Sequence, residues 1–215
     1  MKKVIALLLV LVLICSYAPF SFAEEKEFDY QSVLGGRDGY SYDKFDKYWS
    51  YYGAYAKYFS DATLIIGLQT MSDENESNPS MTLLYAKVID KSGNSLYDVD
   101  SIDFMIGDDI YSYEEMFPSG DTANAIIGQN GMLLLEAINK SNASDVTIRL
   151  GVEGKKMTLE DLDSSEYNEL KEFCRVYLKY NLWDYCDQEE LNDLESYTPL
   201  KINGEYVGLD EDDEA

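Results

Sequence analysis

Carboxylates are the side chains most able to do chemistry in this chain. Asp103 lies within a segment of strand-like pattern, and Glu114 and Glu115 follow another. Histidine is absent, which removes the Ser-His-Asp triad, Cys-His nucleophiles, His-ligated zinc and imidazole proton shuttles together. A glycosidase needs two acids about 5–5.5 Å apart when retaining and about 6.5–9.5 Å apart when inverting. With 41 Asp and Glu among 215 residues, many pairs meet that spacing by chance, so spacing alone does not mark a catalytic pair. Asp108 and Asp109 read more simply as turn residues. A carboxylate-based hydrolase acting on extracellular polysaccharide or peptidoglycan is therefore the second-ranked function.

Metal and phosphate chemistry find no complete motif. Asp98-Val99-Asp100-Ser101-Ile102 begins like a calcium-binding loop, but Ile102 stands where an oxygen ligand is required. Asp210 to Glu214 is a run of acids with no turn, read as a solvated tail. Gly35-Gly36-Arg37-Asp38-Gly39 lacks the spacing of a phosphate loop. The expectation is no metal and no cofactor. The charge balance, 17 − 41 = -24, sets nucleic acid aside as a partner, because displacing its counterions takes clustered Lys and Arg.

Aromatic residues are the less ordinary feature. Phe45, Tyr48, Tyr52, Tyr55 and Phe59 recur at steps of three and four, which predicts a helix over 43–59 with these rings on its inner face. Trp49, Tyr51 and Tyr58 fall outside that stripe and are the expected contact residues, since flat amphipathic rings present large area at low side-chain entropy. The first-ranked function is thus an exported, acidic, non-catalytic binding module for a glycan, a peptide or a cell-surface component, more a binder than an enzyme.

Residues 1–23 have the pattern of a bacterial secretory signal peptide. Lys2 and Lys3 precede the apolar run Val4 to Ile14, and Ser21-Phe22-Ala23 offers small residues at the cleavage positions. The mature chain is expected to begin at Glu24, outside the cell, with charge 15 − 41 = -26. Lipid attachment at Cys15 is disfavoured, because Ile14 stands where a small residue is needed. No later stretch is apolar and long enough to span a membrane. In an oxidising compartment Cys174 and Cys186 are expected to form a disulfide, adding about 3 kcal/mol. A continuous helix would hold them about 18 Å apart, so the helix must stop, with Asn181 as a left-handed cap and Asp187/Glu190 as a capping box for a second helix.

Between these features, residues 24–41 read as a flexible acidic leader, 42–207 as one domain and 208–215 as an acidic tail. Strand-like segments at 62–71, 81–90, 96–106 and 110–113 predict an antiparallel meander. Asn130 caps an expected helix ending near 140, with Leu134, Leu135 and Ile138 on its inner face. Val146, Ile148 and Leu150 pair with Met157 and Leu159 in a hairpin. Ser164 or Ser165 then opens a helix with Tyr167, Leu170, Cys174 and Tyr177 in a stripe. Together these predict an α+β fold, one mostly antiparallel sheet with helices on one face.

Overall fold

Alternating burial runs through most of the chain and organises it into sheets. The computed structural model describes residues 27–186 and 198–207. The expected signal peptide, the capping box after Cys186 and the acidic tail lie outside these residues. Helix α1 (Tyr30–Leu34) comes first, opened by Asp29, whose carboxylate accepts the Ser32 N–H. Strands follow at Tyr40–Tyr42 (β1), Trp49–Tyr58 (β2), Ala62–Ser72 (β3), Pro79–Asp90 (β4), Ser95–Tyr97 (β5), Val99–Ile106 (β6), Asp109–Tyr113 (β7), Phe117–Ser119 (β8) and Thr122–Ile126 (β9). Helix α2 (Met132–Lys140), the hairpin β10 (Val146–Val152) and β11 (Lys155–Leu159), helix α3 (Ser164–Lys179), β12 (Leu200–Ile202) and β13 (Glu205–Tyr206) complete the order.

Two sheets result. Seven strands join in the order β1-β2-β3-β4-β9-β8, with β5 also on β4, and six in the order β11-β10-β6-β7-β12-β13. Among the described residues the fold is mostly antiparallel β-sheet, with 45% of them in strands and few, short helices, which corrects the α+β expectation of one sheet. The cause is local. The expected strand 96–106 breaks at Asp98: β5 stays on β4, whereas β6 pairs with β7 and β10 in the other sheet. The chain then returns to the first sheet through β8 and β9. The expected 146–159 hairpin is present, in register Ile148↔Leu159 and Leu150↔Met157.

The helix expected over 43–59 is instead strand β2. Trp49, Tyr51, Gly53 and Tyr55 are buried along one face while Tyr52 and Tyr58 are exposed on the other. Aromatic residues are so dense here that they satisfy a period of two as well as one of 3.6. Aromatic preference for strands and the backbone pairing decide between them: β3 takes β2 from Ser50↔Met71 to Tyr58↔Thr63. Gly53 is where α3 crosses, since a Cβ there would come within 2.5 Å of the Glu169 carbonyl oxygen and 2.7 Å of the Phe173 Cβ. The described part of the expected leader is also structured. Phe28 and Leu34 are buried, and β1 pairs with β2.

Helix α3 runs from Ser164, as the sequence indicates, with Asp163 accepting the Ser165 and Glu166 N–H groups. Its buried face (Tyr167, Leu170, Phe173, Cys174, Val176, Tyr177) lies on β2 and against α2. Phe173 stacks between Tyr51 at 5.3 Å and Tyr177 at 5.7 Å, and the Thr82 hydroxyl donates to the Tyr177 phenol at 3.0 Å. On the remainder of that sheet β6 approaches β4 and β9, so one apolar core joins both sheets and the helices. Asn130 sits in a 3-10 turn, and its amide donates to the Val207 carbonyl rather than capping α2.

The expected disulfide is absent: Cys174 and Cys186 are both buried and are not bonded to each other. Asn181 does adopt the left-handed conformation, at φ 49° and ψ 51°. The 3-10 turn Leu182–Tyr185 then brings the chain back only as far as Tyr177, which is about one helical turn beyond Cys174. The Cys186 thiol instead donates to the Leu182 carbonyl at 3.5 Å.

Candidate interaction face

Strands β2, β3 and β4 each turn alternate residues away from the helices and the second sheet. Register aligns those residues in rows across the sheet: Ser50–Met71–Met81, Tyr52–Gln69–Leu83–Ile126, Ala54–Gly67–Tyr85–Asn124–Phe117, Ala56–Ile65–Lys87 and Tyr58–Thr63–Ile89. Their inward neighbours, among them Tyr51, Leu64, Ile66, Leu68, Leu84 and Ala86, make up the core. Ile65, Met71, Met81, Leu83, Tyr85 and Ile89 are half-buried and not part of it, whereas Ser50, Asn124 and Ile126 in the same rows are buried. No position in these rows is acidic and Lys87 carries their only charge, although 41 of 215 residues in the chain are acids.

Three rings project from this face: Tyr58 at 70% exposure, Tyr52 at 47% and Phe117 at 36%. Tyr85 lies flat instead. A Cβ at Gly67 would collide with its ring and hydroxyl, so the missing side chain of Gly67 is the space the ring occupies. Burial, with Tyr52 close by, pushes the Tyr85 phenol up to about 12. On β2 the small residues Ala54 and Ala56 stand between the projecting Tyr52 and Tyr58 rings.

The residues expected to make contact divide. Trp49 and Tyr51 are buried, at 0% and 1% exposure. The Trp49 indole N–H donates to the Ser77 carbonyl at 3.0 Å, and its ring meets Phe28 and Tyr30. Tyr58 is exposed and belongs to the outer face. Tyr52, Tyr85 and Phe117, which the helical reading passed over, join it. A signal for Tyr85 was present: segments 62–71 and 81–90 are apolar at seven of ten positions each, Gly67 included, the pattern of strands withdrawn from water on both faces.

The acids are differently placed. Asp103 lies on the outer face of the six-stranded sheet, where the Arg149 Nε donates to its carboxylate at 2.6 Å. These two, with Met105, Ile110, Thr147, Thr158 and Glu160, line a depression of ≈ 170 Å³. Asp103 and Glu160 share it, but Asp103 is committed to the guanidinium. Glu114 is paired with Lys201 at 2.6 Å. Asp108 and Asp109 stand at the β6–β7 turn, where Asp109 accepts the Asn203 amide at 2.9 Å. Glu115 is exposed, in a left-handed turn at φ 60°. Among the described residues no cluster of three acids or cysteines has the geometry to hold a metal ion, and no helix is long and apolar enough to cross a membrane.

Comparison with known proteins found no family model, no curated protein and no solved structure that matches this chain.

Proposed function

We propose that this protein is an exported, non-catalytic interaction module whose working surface is the outer face of the seven-stranded sheet. The observation that carries this reading is the contrast between an acid-rich chain and an acid-free, aromatic-lined sheet face. Contiguous apolar area at a protein surface marks an interaction site, and among the described residues the Tyr52, Tyr58 and Phe117 rings stand exposed on this one. The partner is a glycan, a peptide or a cell-surface component met outside the cell after residues 1–23 are removed. Exposed tyrosines support this, because they add contact area with little entropy to lose.

Binding of the full exported chain to glycan arrays, peptide arrays and cell-envelope fractions tests the reading. Tyr52→Ala, Tyr58→Ala and Phe117→Ala are expected to weaken capture while leaving thermal stability nearly unchanged. Intact mass should place the N-terminus at Glu24. Hydrolysis of polysaccharide or peptidoglycan that disappears in Asp103→Asn, with folding intact, would reverse the assignment in favour of the hydrolase.

A further inference from the structure

Resting on that reading of the outer face, we propose that its partner is a second copy of this chain, docked sheet to sheet about a two-fold axis. Composition points to protein rather than sugar. Ile65, Met71, Met81, Leu83 and Ile89 offer a sugar no hydrogen bonds, whereas Met and aromatic enrichment with few charges is the signature of an interface core between proteins. Size agrees. Strands β2, β3 and β4, about nine residues each, with the short β9 and β8, project at about 4.8 Å spacing and about 3.3 Å rise to roughly 550 Å², near the about 600 Å² per partner at the low end of standard interfaces.

Geometry and charge favour a copy in particular. Twisted sheets pack face to face with their strands about 30° apart, and a two-fold axis requires one patch to complement itself. This face carries both halves of such a fit, the protruding Tyr52 and Tyr58 rings and, between them on β2, the small Ala54 and Ala56. Two exported copies, each at a formal charge of 15 − 41 = -26, repel at long range. The acid-free face lets them close without burying a carboxylate. That combination predicts an association that salt strengthens, because screening removes repulsion between the bodies while apolar contact is untouched.

Sedimentation equilibrium of the full exported chain tests this. The expected result is a dimer at micromolar concentration, tightened about tenfold between low and high salt as the Debye length shrinks. The exposed-ring pair Tyr52→Ala/Tyr58→Ala should dissociate it with circular dichroism unchanged, and Ile65→Lys should do the same from the middle of the face. A wild-type chain that remains monomeric at about 100 µM, weaker than any useful self-affinity, would overturn self-docking. So would a dimer that survives both variants. The array and envelope measurements separate the two ideas: a monomer whose ring variants lose capture removes the second copy and leaves the proposed function standing.

Discussion

The ring of Tyr85 on β4 fills the space that Gly67, its antiparallel partner on β3, leaves open on the outer face of the sheet. Gly53 on β2 plays the matching part on the inner face, where it admits the backbone of α3. Both are strand glycines with no positive φ, so each marks a close approach rather than a turn.

The two sites should answer differently to alanine. At Gly67 the new methyl meets the far end of a side chain, which can swing outward. Gly67→Ala should cost about 1 kcal/mol or less and lower the Tyr85 phenol from about 12 toward its ordinary value near 10. At Gly53 it meets a helix carbonyl, which cannot move alone. Gly53→Ala should cost about 3 kcal/mol. Urea denaturation and phenolate absorbance titration measure both.

Alanine substitution along β2 should follow a period of two. Trp49→Ala and Tyr51→Ala remove buried rings and are expected to cost about 3–5 kcal/mol each. Tyr58→Ala, at 70% exposure, should stay within about 0.5 kcal/mol of the parent. A helical pattern of losses, strongest at Tyr48 and Tyr52 and slight at Trp49 and Tyr51, would contradict the strand.

Reducing agent should leave the melting temperature unchanged, because no disulfide joins Cys174 and Cys186. Burial pushes the Cys186 thiol up to about 12 and the Cys174 thiol higher still. With so little thiolate at neutral pH, alkylation should be slow in the native protein and rapid in denaturant. Mass spectrometry of native and unfolded samples reads this directly.

Alkali should unfold the protein in a defined window. Burial raises Tyr51, Tyr85 and Tyr167 to about 12 from an ordinary value of 10.0. Below about pH 10 these phenols are protonated in both states and stability is at its full value. Between pH 10 and 12 the unfolded chain releases protons that the native chain keeps, so stability falls with rising pH. Urea midpoints measured across that range should decline steadily. A flat profile would show that these rings are hydrated.

Much of the architecture was legible in local pattern. Strands β3 and β4, the β10–β11 hairpin, the inner faces of α2 and α3 and the left-handed Asn181 follow from alternation, 3.6-residue period and cap chemistry, all of which act between near neighbours in the chain. Strand β2 was not, because eight rings in residues 45–59 fit two periods equally, and only the cross-strand bonds to β3 select one. The sheet switch at Asp98 and the mismatch between Cys174 and the returning Cys186 depend on where distant segments pack, which no local period encodes. The outer face lies between these cases. Its apolar content is written in segments 62–71 and 81–90. Register then aligns five strands into one acid-free surface, and the α3 helix, by covering the opposite side, decides which of the two apolar faces is left to meet a partner.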